Sequence, residues 1–266
     1  MTGVVLVGVD GSGPSRAATT WAEERAVRLG LDLTLLHVVQ PINEEADAEP
    51  RTSRFSLADA VASSRSVPGI KKVTGETCAG DPMEELTAAS IGADVVVVGS
   101  HKTGFLHGRV FGSRSLRLLA SAVCPVAVVP EPTGRTRRGV AVGVDGSDAS
   151  RDAVRFAAKE AAALGQPLML VCGGGYAPAS AVGIDVVSRA DRLLAAARDI
   201  AVRAAPSVRV VLRPLARPAA EALADAAPTS ILLVVPISAG SGAMIGPTAH
   251  DVLMNLAGPT LFLPAR

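Results

Sequence analysis

Aromatic residues are scarce in this chain: one Trp, one Tyr and five Phe among 266 residues. Large rings therefore cannot dominate the core. With 48% hydrophobic residues, it must be assembled from small, aliphatic and β-branched side chains, chiefly Ala and Val. Charge of one sign is lacking too. The 26 Lys and Arg nearly balance 25 Asp and Glu, leaving a formal charge of +1, so no broad electrostatic drive toward nucleic acid or an anionic membrane is expected. No uninterrupted apolar run reaches the roughly 18 residues of a membrane span. Met1 to Asp10 has no basic stretch followed by a signal-like apolar segment, and a cytoplasmic location is the expectation. Cys78, Cys124 and Cys172 are far apart and form no CxxC pair, which argues against a disulfide framework or a zinc knuckle and for core thiols. No third ligand stands at recognisable spacing from His101 and His107, so no metal site is expected. No GxSxG or HxxE set suggests a hydrolytic centre, so no catalytic residue is assigned. A Walker A loop and a GxGxxG opening the first helix are both missing.

What the chain does have is a repeat. "VVLVGVDGSGPSRAATTWAEERAVRLG" (Val4 to Gly30) returns as "VAVGVDGSDASRDAVRFAAKEAAALG" (Val140 to Gly165). VGVDGS stands at Val7 and again at Val142. Ser15-Arg16 and Leu29-Gly30 recur at the same offset as Ser150-Arg151 and Leu164-Gly165. Near the ends, "CPVAVVP" (Cys124 to Pro130) parallels "GPTLFLP" (Gly258 to Pro264). The length suits two units of about 130 residues each. Two copies of one domain are expected, at 1–131 and 139–266. Residues 132–138, with the Pro, Gly and Arg composition of a connection, form the linker.

Within the first copy, β-branched runs alternate with helical patterns. Val4 to Val9 reads as a strand; Ser12 and Pro14 supply helix-start chemistry, and Ala18, Ala22, Ala26 and Leu29 recur at helical spacing before Gly30. Leu31 to Val39 is a second strand, Gln40 to Arg54 a polar loop, and Leu57 to Ser66 a short helix. Lys71 to Cys78 is a third strand. Asp81-Pro82 opens a helix running to about Ile91, Val95 to Val98 is a fourth strand, Gly112 to Ala122 a helix and Pro125 to Val129 a fifth strand. Apolar runs buried on both faces and alternating with amphipathic helices indicate a parallel sheet covered on both sides. The expected fold class is α/β, as two tandem doubly wound sandwiches, each with a five-stranded, mainly parallel sheet.

Ligands of such sheets sit outside the carboxyl ends of the strands. Two segments of the first copy lie at such ends. One is Val9-Asp10-Gly11-Ser12; the other, Gly99 to Ser113, is rich in glycine and runs straight into a helix. Glycines let backbone N–H groups approach a phosphate, and the helix start at Gly112 and Ser113 adds unpaired donors and partial positive charge. Lys102, Arg109 and Arg114 supply further charge. The competing reading of this segment is a long connection that uses glycines for its turns, and that of Asp10 is a residue capping its own turn.

The strand-one "VGVDGS", the Gly80-Asp81-Pro82 turn into a helix and the closing "CPVAVVP" together resemble the universal stress protein family, in a tandem form that covers nearly all of the chain. Nucleotide-binding members of that family carry a glycine, two residues, a glycine, nine residues, then glycine with serine or threonine. Gly99 and Gly112-Ser113 fit this pattern, while Lys102 stands at the middle glycine. The resemblance implies the adenine nucleotide alpha hydrolase-like fold and ATP, with or without Mg, in the first domain. Asp10 would contact the nucleoside with Gly8 and Val9 beside it, and Val38 would pack on the base. Gly99, Ser100, His101, Lys102 and Gly104 would wrap the phosphates; Gly112, Ser113 and the N–H of Arg114 would close the site. The second copy keeps Asp145, but its strand-two end reads "LVCGG" (Leu170 to Gly174), Pro247 replaces Ser113, and the loop from Pro236 to Gly246 is shorter. That loop is expected to be degenerate. The closing strands are short and apolar, and the resemblance implies that they pair the two domains; a homodimer and a regulatory protein partner stay open. Three functions stay open: a nucleotide-responsive stress regulator, a slow ATPase, and a nucleotide-independent interaction scaffold.

Overall fold

The computed structural model describes residues 3–40, 55–100, 113–174, 184–237 and 245–265. The chain divides into two compact units, Met1–Glu131 and Pro132–Arg266. In unit 1 the order is β1 (Val4–Gly8), α1 (Gly13–Leu29), β2 (Asp32–Val39), α2 (Leu57–Arg65), β3 (Val73–Ala79), α3 (Pro82–Ala89), β4 (Val95–Ser100), α4 (Ser113–Ser121) and β5 (Val126–Pro130). The strands lie side by side as β3-β2-β1-β4-β5, every neighbouring pair parallel. This is the α/β sheet that the alternating apolar runs anticipate.

Register and alternation say which helix covers which face. Val7 pairs with Leu35 and with Val97, and Leu35 pairs with Gly75, so these side chains share a face. A Cβ on Gly75 would meet Val61 and Leu57, which puts α2 on that face. Gly8 points the other way, toward Leu86 of α3. Arg117 of α4 reaches Glu84 at 3.0 Å and Asp81 at 3.6 Å at the start of α3, so α3 and α4 meet on that second side. Val5, Val7, Val95, Val96 and Val97 are fully buried between the layers.

The helix starts are written locally. Ser12 caps α1 by accepting from the Ser15 N–H at 3.2 Å, Pro14 sits in the first turn, and Gly30 ends the helix at φ 65°. Asp81 caps α3 by accepting from the N–H groups of Met83 and Glu84. Most boundaries move by a residue or two from the sequence reading, and two of the shifts have a local cause. The third strand begins at Val73, not Lys71, because its first inward side chain is Val73; Lys71 and Lys72 remain exposed. The helix after Asp81 stops at Ala89 and tightens into a 3-10 turn, Ser90–Gly92, where the Ser90 hydroxyl donates back to the Thr87 carbonyl at 2.6 Å.

Unit 2 repeats the plan: β6 (Val140–Gly143), α5 (Asp148–Ala163), β7 (Leu168–Gly173), α6 (Ile184–Ala204), β8 (Val210–Leu215), α7 (Ala219–Ala226), β9 (Leu232–Ile237), α8 (Pro247–Met254) and β10 (Thr260–Pro264). Its strands run β8-β7-β6-β9-β10, again parallel throughout. Phe262 of β10 is the largest fully buried side chain described, a rare ring used as core. No described helix is long and apolar enough to cross a membrane.

Candidate functional site

In unit 1, β1 has β2 on one side and β4 on the other, so the chain leaves β1 in one direction and returns in the opposite one. That reversal leaves a crevice at the carboxyl ends of β1 and β4. On its β1 side, the Val9 N–H donates to the Leu36 carbonyl at 2.9 Å, extending the ladder by one residue. The chain then turns at Gly11, whose φ of 79° suits glycine. Asp10 Oδ1 accepts from the Ser12 N–H at 2.9 Å, and the Asp10 N–H donates to Ser15 Oγ at 3.2 Å. Arg16 Nη1 donates to the Gly11 carbonyl at 2.6 Å. Asp10 thus holds its own turn while remaining exposed at the crevice mouth, so the turn-capping reading of this residue is realised.

On the β4 side stand Gly99 and Ser100, the last residues of the strand. A Cβ on Gly99 would lie 2.5 Å from the Pro14 carbonyl oxygen and 2.7 Å from the Ser15 nitrogen, inside the backbone of the first turn of α1. Glycine at this position is demanded by packing, independently of any phosphate. His101, Lys102, Gly104 and Gly112 lie outside the described residues, as does His107. Ser113 and Arg114 are placed by their backbone as the first two residues of α4, where N–H groups lack intrahelical acceptors and the helix dipole is positive.

The end of β2 forms the third side. Val38 shares the sheet face of Gly8, since Gly8 pairs with Leu36 two residues before it. His37 faces the opposite way. Its Nδ1 is 2.8 Å from the Val9 carbonyl oxygen; a carbonyl only accepts, so Nδ1 carries the proton and clips β2 to β1. The His37 ring also packs against Phe55, with centroids 4.9 Å apart and planes inclined by 53°. Phe55 covers Gly11, where an added Cβ would lie 2.8 Å from Phe55 Cδ2. Sequence reasoning missed Phe55; its one signal is the rarity of aromatics in this chain.

Unit 2 keeps the turn and changes the walls. Asp145 Oδ1 accepts from the Ser147 N–H at 2.8 Å, and the Asp145 N–H donates to Ser150 Oγ at 3.2 Å. Because Val140 pairs with Leu168 as Val5 pairs with Leu33, Cys172 stands where His37 does and Gly173 where Val38 does. Leu193 covers Gly146 in place of Phe55 over Gly11. The pairing of Val140 with Leu232 likewise sets Pro236 at the position of Gly99. Helix α8 begins with Pro247 behind Gly246, which makes no side-chain cap.

Burial disfavours the thiolate at all three cysteines. Cys124 and Cys172 are buried and Cys78 is half-buried, all three unpaired. Burial pushes the Cys124 thiol up to about 11 and raises Cys172; Cys78 is raised by burial and then by the nearby Glu85 carboxylate. Thiolate is therefore depleted at each site. At pH 8, iodoacetamide is expected to label Cys78 slowly and Cys124 and Cys172 only after denaturation, as read by peptide mass spectrometry. Native labelling of Cys124 at the rate of free glutathione would refute this.

A family model described as the universal stress protein family matches residues 1–130 and again 136–264. A universal stress protein of Mycolicibacterium smegmatis is 37% identical over 131 residues, covering 47% of this chain and 45% of the relative. One from Mycobacterium tuberculosis is 32% identical over 171 residues, covering 63% of each. The matches thus span about half to two thirds of these relatives' own length. In fold, the chain is similar to a universal stress protein from Archaeoglobus fulgidus, with a TM-score of 0.71 at 17% identity over 98% of both chains. With the family's pattern matched twice along its length, the chain belongs to the universal stress protein family, as a tandem of two such domains.

Proposed function

We propose that the chain is an ATP-binding stress-response regulator whose first unit holds the nucleotide in the crevice between the carboxyl ends of β1 and β4. The observation that carries this reading is the convergence at one end of one sheet of Asp10, Val38, Gly99 and the strand end that leads to α4. Asp10 takes the ribose, with Gly8 and Val9 beside it, and Val38 takes the base. Ser100, His101, Lys102, Gly104 and Gly112 follow the phosphates, and the N–H groups of Ser113 and Arg114 donate to them. Mg accompanies the triphosphate. Bound ATP favours the conformation or assembly that holds it more tightly, which suits a switch better than a catalyst.

The second unit contributes contacts in place of a nucleotide site. Pro247 removes one N–H and one hydroxyl relative to Ser113. A nucleotide-independent scaffold is the second reading. It is favoured by Gly99 and Asp10, whose identities are both accounted for by packing and turn geometry.

Ser113→Pro separates the two. Proline is suited to the first helical position, and α8 carries it there, so the fold is expected to stand while a donor N–H and a hydroxyl disappear. Freshly purified protein, denatured and run on ion exchange, is expected to release about one ATP per chain, and Ser113→Pro to bind Mg·ATP about 10- to 100-fold more weakly, as one or two charge-assisted hydrogen bonds imply. An empty wild-type protein that takes up no added Mg·ATP overturns the nucleotide reading.

A further inference from the structure

We infer that Phe55, held by His37 on the sheet face opposite Val38, is the residue of unit 1 on which one face of the nucleotide base stacks, the base lying over the end of β2 with Val38 on its other side. The inference rests on the nucleotide reading above and adds to it a contact that the glycine-loop pattern does not contain. Phe55 lies directly on Gly11 of the Asp10–Ser12 turn and against the His37 ring, at the carboxyl ends of β1 and β2. The His37 ring is itself fixed by its 2.8 Å bond to the Val9 carbonyl, so Phe55 rests on a support that is already immobile. Both rings are only half-buried, and Val39, on the same sheet face as His37, is 47% exposed. Part of each ring therefore stays exposed next to the turn that carries the exposed Asp10. A flat, uncharged group joined to a polar sugar and an anionic tail matches that combination, and an aromatic face gives stacking energy with little loss of side-chain freedom.

Unit 2 serves as an internal comparison. At the equivalent turn, Leu193 rests on Gly146, and Cys172 stands in place of His37. A leucine thus suffices to cover the Asp-Gly turn. The structural task does not require a ring, and unit 1 carries two.

The test uses the full chain with Phe55→Leu, which copies unit 2, and Phe55→Trp, which enlarges the ring. Mg·ATP, Mg·ADP and Mg·tripolyphosphate are titrated calorimetrically, and urea unfolding checks the fold. Phe55→Leu is expected to weaken ATP and ADP by the same factor, about tenfold, and to leave tripolyphosphate unchanged. Phe55→Trp is expected to keep ATP affinity, with a new indole emission quenched by ATP but not by tripolyphosphate. Unchanged ATP affinity in Phe55→Leu overturns the inference. So does equal weakening of ATP and tripolyphosphate, which would make Phe55 a support for the turn. A wild-type protein that binds no ATP defeats the nucleotide reading itself, and its own titration shows this before any variant is compared.

Discussion

Gly99→Ala is expected to destabilise unit 1 by about 3 kcal/mol, one of the largest effects available from a single added methyl group. The new Cβ would stand 2.5 Å from the Pro14 carbonyl oxygen and 2.7 Å from the Ser15 nitrogen. Backbone in the first turn of a capped helix cannot swing aside as a side-chain tip can. To make room, α1 must lift from β4, and that breaks the packing of Ala18, Ala22 and Ala26, each fully buried beneath it. Urea unfolding followed by Trp21 reports on this, because the single tryptophan lies in α1. Gly92→Ala is the matched control: an added Cβ there meets nothing within 4 Å, and its midpoint is expected to stay within a few tenths of a molar of the wild type. A Gly99→Ala transition superimposed on wild type would refute the packing argument. The same reasoning bears on ligand work, since nucleotide lost from Gly99→Ala reads the fold and not the phosphate contact.

Gly99 also marks the boundary of what the sequence reveals. Local chemistry was legible wherever cause and effect lie within one helical turn. Ser12 and Asp81 cap their helices as their spacing implies, Gly30 ends α1 in the left-handed region, and the all-apolar Val95 to Val98 run is buried on both faces. The repeat makes the second unit legible through the first: the segment Pro236 to Gly246 reads as the shorter counterpart of Gly99 to Gly112, and strand register sets Pro236 at the position of Gly99. The closeness of α1 to the end of β4 was not legible. It depends on two segments more than eighty positions apart, and the glycine spacing that marks a phosphate loop does not distinguish an approaching helix from an approaching ligand. Phe55 was missed for a related reason. Its partners, Gly11 and His37, come from two other elements, and one aromatic at the edge of a polar segment has no periodicity to betray it. His37 reads in sequence as the close of a strand; the structure adds that it ties two strand ends together.

Gly173→Val carries the larger penalty, about 4 kcal/mol or more, and explains why unit 2 cannot be turned back into a copy of unit 1 at this wall. Gly173 occupies the register position of Val38, so valine there would restore the apolar wall of the first crevice. The space is already taken. A Cβ on Gly173 would lie 2.6 Å from Ala219 Cα, 2.7 Å from Ala219 N and 2.8 Å from the Arg217 carbonyl oxygen, and valine adds two methyl groups beyond it. The entry to α7 has closed on the strand end where unit 1 keeps room for a side chain. Relief would require α7 to withdraw, exposing Ala222 and Leu223, both buried beneath it. Hydrogen exchange of the full chain is the suitable measurement: peptides spanning β7 and α7 are expected to lose most of their protection, with the unit 1 peptides as internal reference. The reciprocal change, Val38→Gly, removes a half-buried side chain from a strand end and is expected to cost only about 1 kcal/mol. The asymmetry between the two substitutions is the critical result. Equal and small effects would mean that α7 yields easily, and the glycine at the register position of Val38 would then need another cause.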